Sequence, residues 1–91
     1  MKKEDLASFD HDKFLLVDIR EDDEVRMLPS IAQAVHIPMS QLPAVLAAGQ
    51  IPHDKTIVTI CMSGGRCHTA NAWLEQNGFH TDLLEGGMVE L

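Results

Sequence analysis

Thr56-Ile57-Val58-Thr59-Ile60-Cys61-Met62-Ser63-Gly64-Gly65-Arg66-Cys67 is the stretch on which the reading of this chain turns. It opens as an apolar run of β character, and a cysteine ends the run. Ser63 and two glycines make a turn. A helical pattern follows from about Arg66 to Asn77, with Gly78 as its stop. A thiol at a strand end, above a Gly-rich turn and against a helix N-terminus, stands where a thiolate is most easily stabilised. Cys61 is therefore the candidate nucleophile.

Outward from this loop, the chain reads as strands alternating with helices. Residues 3–8 suit a short helix. Phe14-Leu15-Leu16-Val17-Asp18-Ile19 is nearly continuous apolar sequence, the mark of a strand covered on both faces. Arg20 to Glu24 begins a polar turn or short helix that Pro29 stops. Ala34-Val35-His36-Ile37 reads as a second strand ending at Pro38. Ser40 is the expected N-cap of a helix over about Gln41 to Ala48, with Pro43 in its first turn and Gly49 past its end. In the helix after the loop, Ala70, Trp73, Leu74 and Asn77 recur at helical spacing and are expected to face the core. Thr81-Asp82-Leu83-Leu84 is a last short strand, and Gly86-Gly87 turns the chain into a stub from Met88 to Leu91. This order predicts an α/β fold, a mostly parallel sheet flanked by helices. Sites in such folds lie at the carboxyl ends of strands, where Cys61 stands.

With 91 residues, 45% of them hydrophobic, the chain suits one domain over 1–91 with a core that needs no disulfide staples. Its two cysteines flank one turn, unlike the spread pattern of a secreted disulfide scaffold. Acids follow Lys2-Lys3 at once, unlike a secretory leader, and no run approaches the ~20 apolar residues of a membrane span. A cytoplasmic protein with reduced thiols is expected. The net charge of −7 argues against nucleic acid and anionic membranes as partners. The acidity fits simple solubility or a docking face for a basic partner. An anionic small substrate requires a site that is locally positive.

The loop can supply that. The helix N-terminus after Gly65 carries partial positive charge. Ser63, Gly64 and Gly65 are small enough for consecutive backbone N–H groups to form an anion nest. Arg66 adds a permanent charge and a planar fork of donors. Such a cradle suits a thiolate, a persulfide or an oxyanion such as thiosulfate. The bland alternative is that Cys61 is a small buried hydrophobe at a strand end.

The loop resembles the active loop of the rhodanese (sulfurtransferase) domain: a cysteine, a short Ser/Gly stretch and a basic residue before a helix. Three further segments are similar in the same order: Leu16-Val17-Asp18-Ile19-Arg20-Glu21, Ala34-Val35-His36-Ile37-Pro38 and Leu84-Glu85-Gly86-Gly87. The resemblance implies a sulfurtransferase in which Cys61 takes a sulfane sulfur from a small anionic donor such as thiosulfate. The covalent persulfide then passes its sulfur to a thiol, a protein acceptor or cyanide, with no other cofactor. It also implies that the backbone from Met62 through Ser63, Gly64 and Gly65 to Arg66 cradles the persulfide, while Arg66 holds the donor. The related phosphatases resemble Cys-x5-Arg, one residue longer than the spacing here, so the short loop favours sulfur over phosphorus. A persulfide carrier fed by a protein partner is the alternative within the resemblance.

Several residues stand outside the pattern. Where the family carries an aromatic residue and then Gly-His-Ile-Pro-Gly-Ala, this chain has Val25 and then Pro29-Ser30-Ile31-Ala32-Gln33-Ala34. The family often continues past the equivalent of Leu91, so a C-terminal edge less protected than residues 56–60 is expected. Cys67 replaces a common serine and is an accessory candidate, either a resolving thiol or a small helix residue. Arg20 is the other accessory candidate: it faces the pocket rim or pairs with the acids at Glu21 to Glu24. Cys61, Cys67 and His68 are too few for a structural zinc site, so no metal is expected. His11, His36, His53 and His80 are scattered, as surface or strand-edge residues are. Asp18 is expected to be inward and hydrogen-bonded, a brace rather than a reacting group.

Overall fold

In a computed structural model, which describes residues 1–62 and 65–91, the two apolar runs become the two interior strands of a parallel sheet. Phe14–Asp18 is β1, Val35–His36 β2, Thr56–Ile60 β3 and Thr81–Leu83 β4, in the order β2-β1-β3-β4. β1 lies in register on β3 from Phe14 opposite Thr56 to Asp18 opposite Ile60, and β4 pairs with β3 from Ile57 opposite Thr81 to Thr59 opposite Leu83. Parallel neighbours need crossovers. Asp22–Met27 (α1) links β1 to β2. A 3-10 turn at Met39–Gln41 and Leu42–Ala47 (α2) lead to β3, and Gly65–Gln76 (α3) leads to β4. Among the described residues no helix is long and apolar enough to cross a membrane.

The period of two along β1 and β3 builds two cores. Val17, Ile19, Ile57 and Cys61 pack with Leu42 of α2, with Ala70 and Leu74 of α3, and with Phe79. Leu16, Val58 and Ile60 turn the other way, against Leu6 of a 3-10 helix at Lys3–Ser8 and Met88 of a 3-10 helix at Gly87–Glu90. Both faces are thus covered, as continuous apolar strands require. Because Ile60 and Cys61 alternate, the Cys61 side chain falls on the α3 face.

Two expected side-chain roles differ. Ser40 does not cap α2, which begins at Leu42. A carboxylate is a stronger partner for a hydroxyl than a helix amide, and Ser40 Oγ donates to Glu21 Oε1 at 2.6 Å while its N–H donates to Oε2 at 3.2 Å. The buried stripe of α3 is Cys67, Ala70, Asn71 and Leu74; Trp73 is half-buried and Asn77 lies exposed beyond the helix end. Asn71 is accepted in the core because its polar atoms are matched: Thr59 Oγ1 donates to Asn71 Oδ1 at 2.8 Å, and Asn71 Nδ2 donates to the Asp82 carbonyl at 3.0 Å.

The C-terminal stub, expected to be less protected than residues 56–60, is tied to the end of β3 at two points while Val89 and Leu91 stay exposed. The Met88 and Val89 N–H groups donate to the carbonyls of Cys61 and Met62 at 2.9 and 3.0 Å, and Met88 is buried. Gly87 makes that approach feasible. Its φ is +65°, and a Cβ there would sit 2.6 Å from both carbonyl oxygens. The Leu84-Glu85-Gly86-Gly87 motif therefore has a physical task, which is to brace the peptide that leaves β3.

Asp18 is inward and hydrogen-bonded, as expected. Arg20 departs from both of its expected roles, since it is wholly buried and its carboxylate partner is Asp18. Arg20 Nε donates to Asp18 Oδ1 at 3.0 Å and Nη2 donates to Oδ2 at 2.8 Å. Nη2 also donates to the Leu28 carbonyl at 2.7 Å and Nη1 to the Glu24 carbonyl at 3.4 Å, so the guanidinium closes the C-terminal end of α1. Ser30, in the segment that departs from the family pattern, completes the cluster by donating to Asp18 Oδ2 at 2.8 Å. Burial pushes the Asp18 carboxyl up, but the hydrogen bonds from Arg20 and Ser30 and the Arg20 charge together hold it below its ordinary value. Removing one partner of a buried pair leaves the other charge uncompensated. Asp18→Ala is expected to cost about 3–5 kcal/mol in urea unfolding, against about 1 kcal/mol or less for an exposed acid such as Asp12.

Candidate active site

β3 ends in the middle of the sheet, between β1 and β4, so the peptide after it emerges at the carboxyl edge with elements on both sides. Cys61 is the first residue beyond the strand. Its side chain belongs to the α3-side core and the residue is only 1% exposed. The feature that made Cys61 look like a small core residue and the feature that made it look like a nucleophile therefore coexist. Met62 is half-buried, with its carbonyl held by Val89, and Gly65 opens α3. The expected contribution of Ser63 and Gly64 to an anion nest lies outside the described residues.

Arg66 stands on the first turn of α3, where its guanidinium is within electrostatic reach of both cysteine sulfurs. It does not stand alone. Its Nη1 and Nη2 donate to Glu24 Oε1 and Oε2, both at 2.6 Å, a two-pronged pair from α3 to α1. Glu24 is itself oriented, because the Glu21 N–H donates to Glu24 Oε1 at 3.2 Å. Hydrogen bonding to Arg66 is the main reason that the Glu24 carboxyl falls from an ordinary 4.5 to about 2, and the same bonds raise the Arg66 guanidinium further. Glu24 was not singled out from the sequence. It is one of four consecutive acids at Glu21-Asp22-Asp23-Glu24, and nothing in that run marks which one reaches across the site. Gly87 was read only as part of the Gly86-Gly87 turn, and its place against the Cys61 and Met62 carbonyls appears only in the fold.

Cys67 is fully buried, facing the core beneath Cys61. Burial pushes its thiol up to about 12. A hydrogen bond with Cys61 adds to this, while one with Thr59 and the charge of Arg66 oppose it. Its closeness to Cys61 suits a resolving thiol, but its protonation does not, since only a thiolate attacks. The place of Cys67 fits a small core residue standing in for serine. Arg20, held by Asp18 inside the fold, does not reach the rim. His36 is at the sheet edge, with Nε2 donating to the Arg20 carbonyl at 2.6 Å, and His53 stacks on Phe79 with ring centroids 4.0 Å apart. Among the described residues no cluster could hold a metal ion.

The Glu24–Arg66 pair has a pH signature. Its carboxyl is lowered in the fold, so its stabilisation is present above pH 4.5 and is lost as pH falls toward about 2. Both side chains are partly exposed, and the contribution is about 1 kcal/mol or less. The unfolding free energy of wild type should exceed that of Glu24→Gln above pH 4.5, with the gap closing in acid.

Comparison with known proteins gives the family. The rhodanese-like domain model matches residues 2–91. The chain is 40% identical over 80 residues to "Putative sulfurtransferase YtwF" of Bacillus subtilis, an alignment covering 86% of this chain and 73% of that protein. It is 38% identical over 89 residues to the tRNA uridine(34) hydroxylase of Sodalis glossinidius, but there it spans only 25% of the relative's length. Among solved structures, SSP1007 of Staphylococcus saprophyticus superposes with a TM-score of 0.80 at 34% identity, covering 99% of this chain and 89% of that one. The single-domain sulfurtransferase RDL2 of Saccharomyces cerevisiae gives 0.82 at 26% identity, covering 99% and 85%. The family model over residues 2–91, together with a four-stranded parallel sheet shared with solved relatives over nearly the whole chain, places this protein in the rhodanese-like domain family.

Proposed function

We propose that the chain is a sulfurtransferase that carries sulfane sulfur on Cys61. The observation that supports this best is the placement of Cys61 at the carboxyl end of β3, with Arg66 within electrostatic reach on the first turn of α3. The Cys61 thiolate attacks the outer sulfur of a donor such as thiosulfate. A new S–S bond forms at Cys61, the S–S bond of thiosulfate breaks, and sulfite leaves with the electron pair. An acceptor thiolate then attacks the outer persulfide sulfur, which returns Cys61 as a thiolate and leaves the acceptor as a persulfide. Cyanide takes the same sulfur to become thiocyanate. Neither step consumes an oxidant, and no resident cofactor takes part. The positive end of α3 and the Arg66 charge favour the anionic species at each stage.

A second reading is a persulfide carrier that receives sulfur from a protein partner and turns over thiosulfate poorly. The occupied fork of Arg66 favours it, since a small anionic donor finds that site already filled by Glu24. The likeness to parts of larger proteins is compatible with it as well. The chain resembles 15% of an NAD-dependent persulfide reductase from A. fulgidus, with a TM-score of 0.70 and 30% identity.

Steady-state kinetics separate the readings. With donor and acceptor both varied, a covalent sulfur carrier gives parallel double-reciprocal lines. Cys61→Ser should abolish turnover. Arg66→Ala should lower kcat/KM by about 10²–10³-fold, the range for one lost transition-state donor. Cys67→Ser should retain the wild-type rate. Sulfur uptake from a cysteine desulfurase without thiosulfate turnover would select the carrier, and hydrolysis of an aryl phosphate would contradict both.

A further inference from the structure

The acidic chain needs local positive charge to attract an anionic donor, and two arginines near the loop were expected to provide it. Both are already engaged. Arg20 is wholly buried on Asp18, and Arg66 holds both oxygens of Glu24 at 2.6 Å. Arg26, a further cation on the same helix, is exposed on the last turn of α1. It lies about 200° around the helix from Glu24, so it is on the opposite face of α1 from the residue that reaches Arg66. Asp22 and Asp23, exposed on the first turn of α1, add negative charge on the same element. A carboxylate on a guanidinium fork also has the shape of an incoming oxyanion. Both are planar-edge or tripodal sets of oxygens about one hydrogen bond away from the nitrogens.

We infer that Glu24 is a specificity-determining residue, an internal anion on Arg66 that a dianionic donor must displace, so the site prefers sulfur donors of lower charge over thiosulfate. This rests on the sulfur-transfer reading and sharpens it. The residue that would hold the donor is not vacant, and the group that occupies it is held in place by the Glu21 N–H and by the closure of α1 on Arg20. A dianion competes with Glu24 for the same donors and meets its charge on approach. A monoanionic donor, with less to gain from Arg66, loses less to Glu24. Glu24 thus acts through Arg66 and takes no part in the bond changes at Cys61.

The test compares wild type with Glu24→Gln, which removes the charge and keeps the size. Glu24→Ala also removes the hydrogen bonds, and Asp23→Asn removes one nearby acid that does not hold Arg66. Two donors are used, thiosulfate as dianion and an alkyl thiosulfonate as monoanion. In parallel, peptide mass spectrometry measures Cys61 alkylation by iodoacetate relative to neutral iodoacetamide, a readout that needs no sulfur transfer. Both Glu24 variants should lower KM for thiosulfate by about tenfold, equivalent to ~1.4 kcal/mol of relieved competition. They should change kcat little, shift the thiosulfonate by less than about threefold, and raise the iodoacetate-to-iodoacetamide ratio at Cys61. Asp23→Asn should stay near wild type in every readout. An unchanged ratio, or a thiosulfate KM that is unchanged or raised in Glu24→Gln, overturns the inference; a raised KM would mean that Glu24 positions Arg66 for the donor. If the ratio rises yet neither donor is turned over by any variant, control of anion access by Glu24 stands and the sulfur-transfer reading fails.

Discussion

The buried ion pair of Asp18 and Arg20 is the constraint on which the rest of the site depends. Two charges removed from water are tolerated only when geometry and extra hydrogen bonds replace hydration. Here two guanidinium nitrogens meet the Asp18 carboxylate, Ser30 supplies a further donor, and two more guanidinium hydrogens go to the carbonyls of Glu24 and Leu28. The pair therefore does more than satisfy itself. It fixes the carboxyl end of β1, the C-terminal end of α1 and the segment around Ser30 to one another. α1 has only six residues and no buried side chain, so it has little packing of its own to hold it. Its position comes from Arg20 beneath it, from Ser40 on Glu21 and from Arg66 on Glu24.

The loop at Cys61 is held from the opposite side by the C-terminal stub. Gly87 lets the chain pass against the carbonyls of Cys61 and Met62, and the next two amides bond to them. With those carbonyls turned toward the stub, the strand's exit is anchored by backbone alone, which leaves the side chain of Cys61 to face α3 and the Arg66 charge. Thr59 and Asn71 secure α3 against β3 from below. On the proposed sulfur-transfer reading, a Cys61 held from several directions would lose little ordering entropy when a donor binds.

Much of this was legible in the sequence. The apolar runs at 14–19 and 56–60, the punctuation by Gly49 and Gly78, and the strand–loop–helix arrangement around Cys61 each follow from local patterns, and those patterns sufficed for a parallel sheet. What escaped was set by pairing between distant residues. An Arg two positions after an Asp could face solvent, the rim or the core, and only the packing of α1 over β1 decides for the core. Four acids in a row are equivalent until the crossing of α1 and α3 brings Glu24 to Arg66. Ser40 carried an N-cap signature, yet Glu21, close only after folding, outcompeted the helix amides. The ties of the C-terminal stub were hidden for the same reason, because its hydrogen-bond partners lie some 27 residues upstream, at Cys61 and Met62.

The central claim is that Cys61 is the atom on which sulfur rests between donor and acceptor. The most direct measurement is the intact mass of the reduced protein after incubation with thiosulfate, or with a persulfidated donor protein, followed by removal of the donor. The account predicts a gain of one sulfur atom located on Cys61, absent from Cys61→Ser, and lost on addition of cyanide or a thiol. A protein that gains no mass with either donor, or that carries the added sulfur in the Cys61→Ser variant, would contradict it.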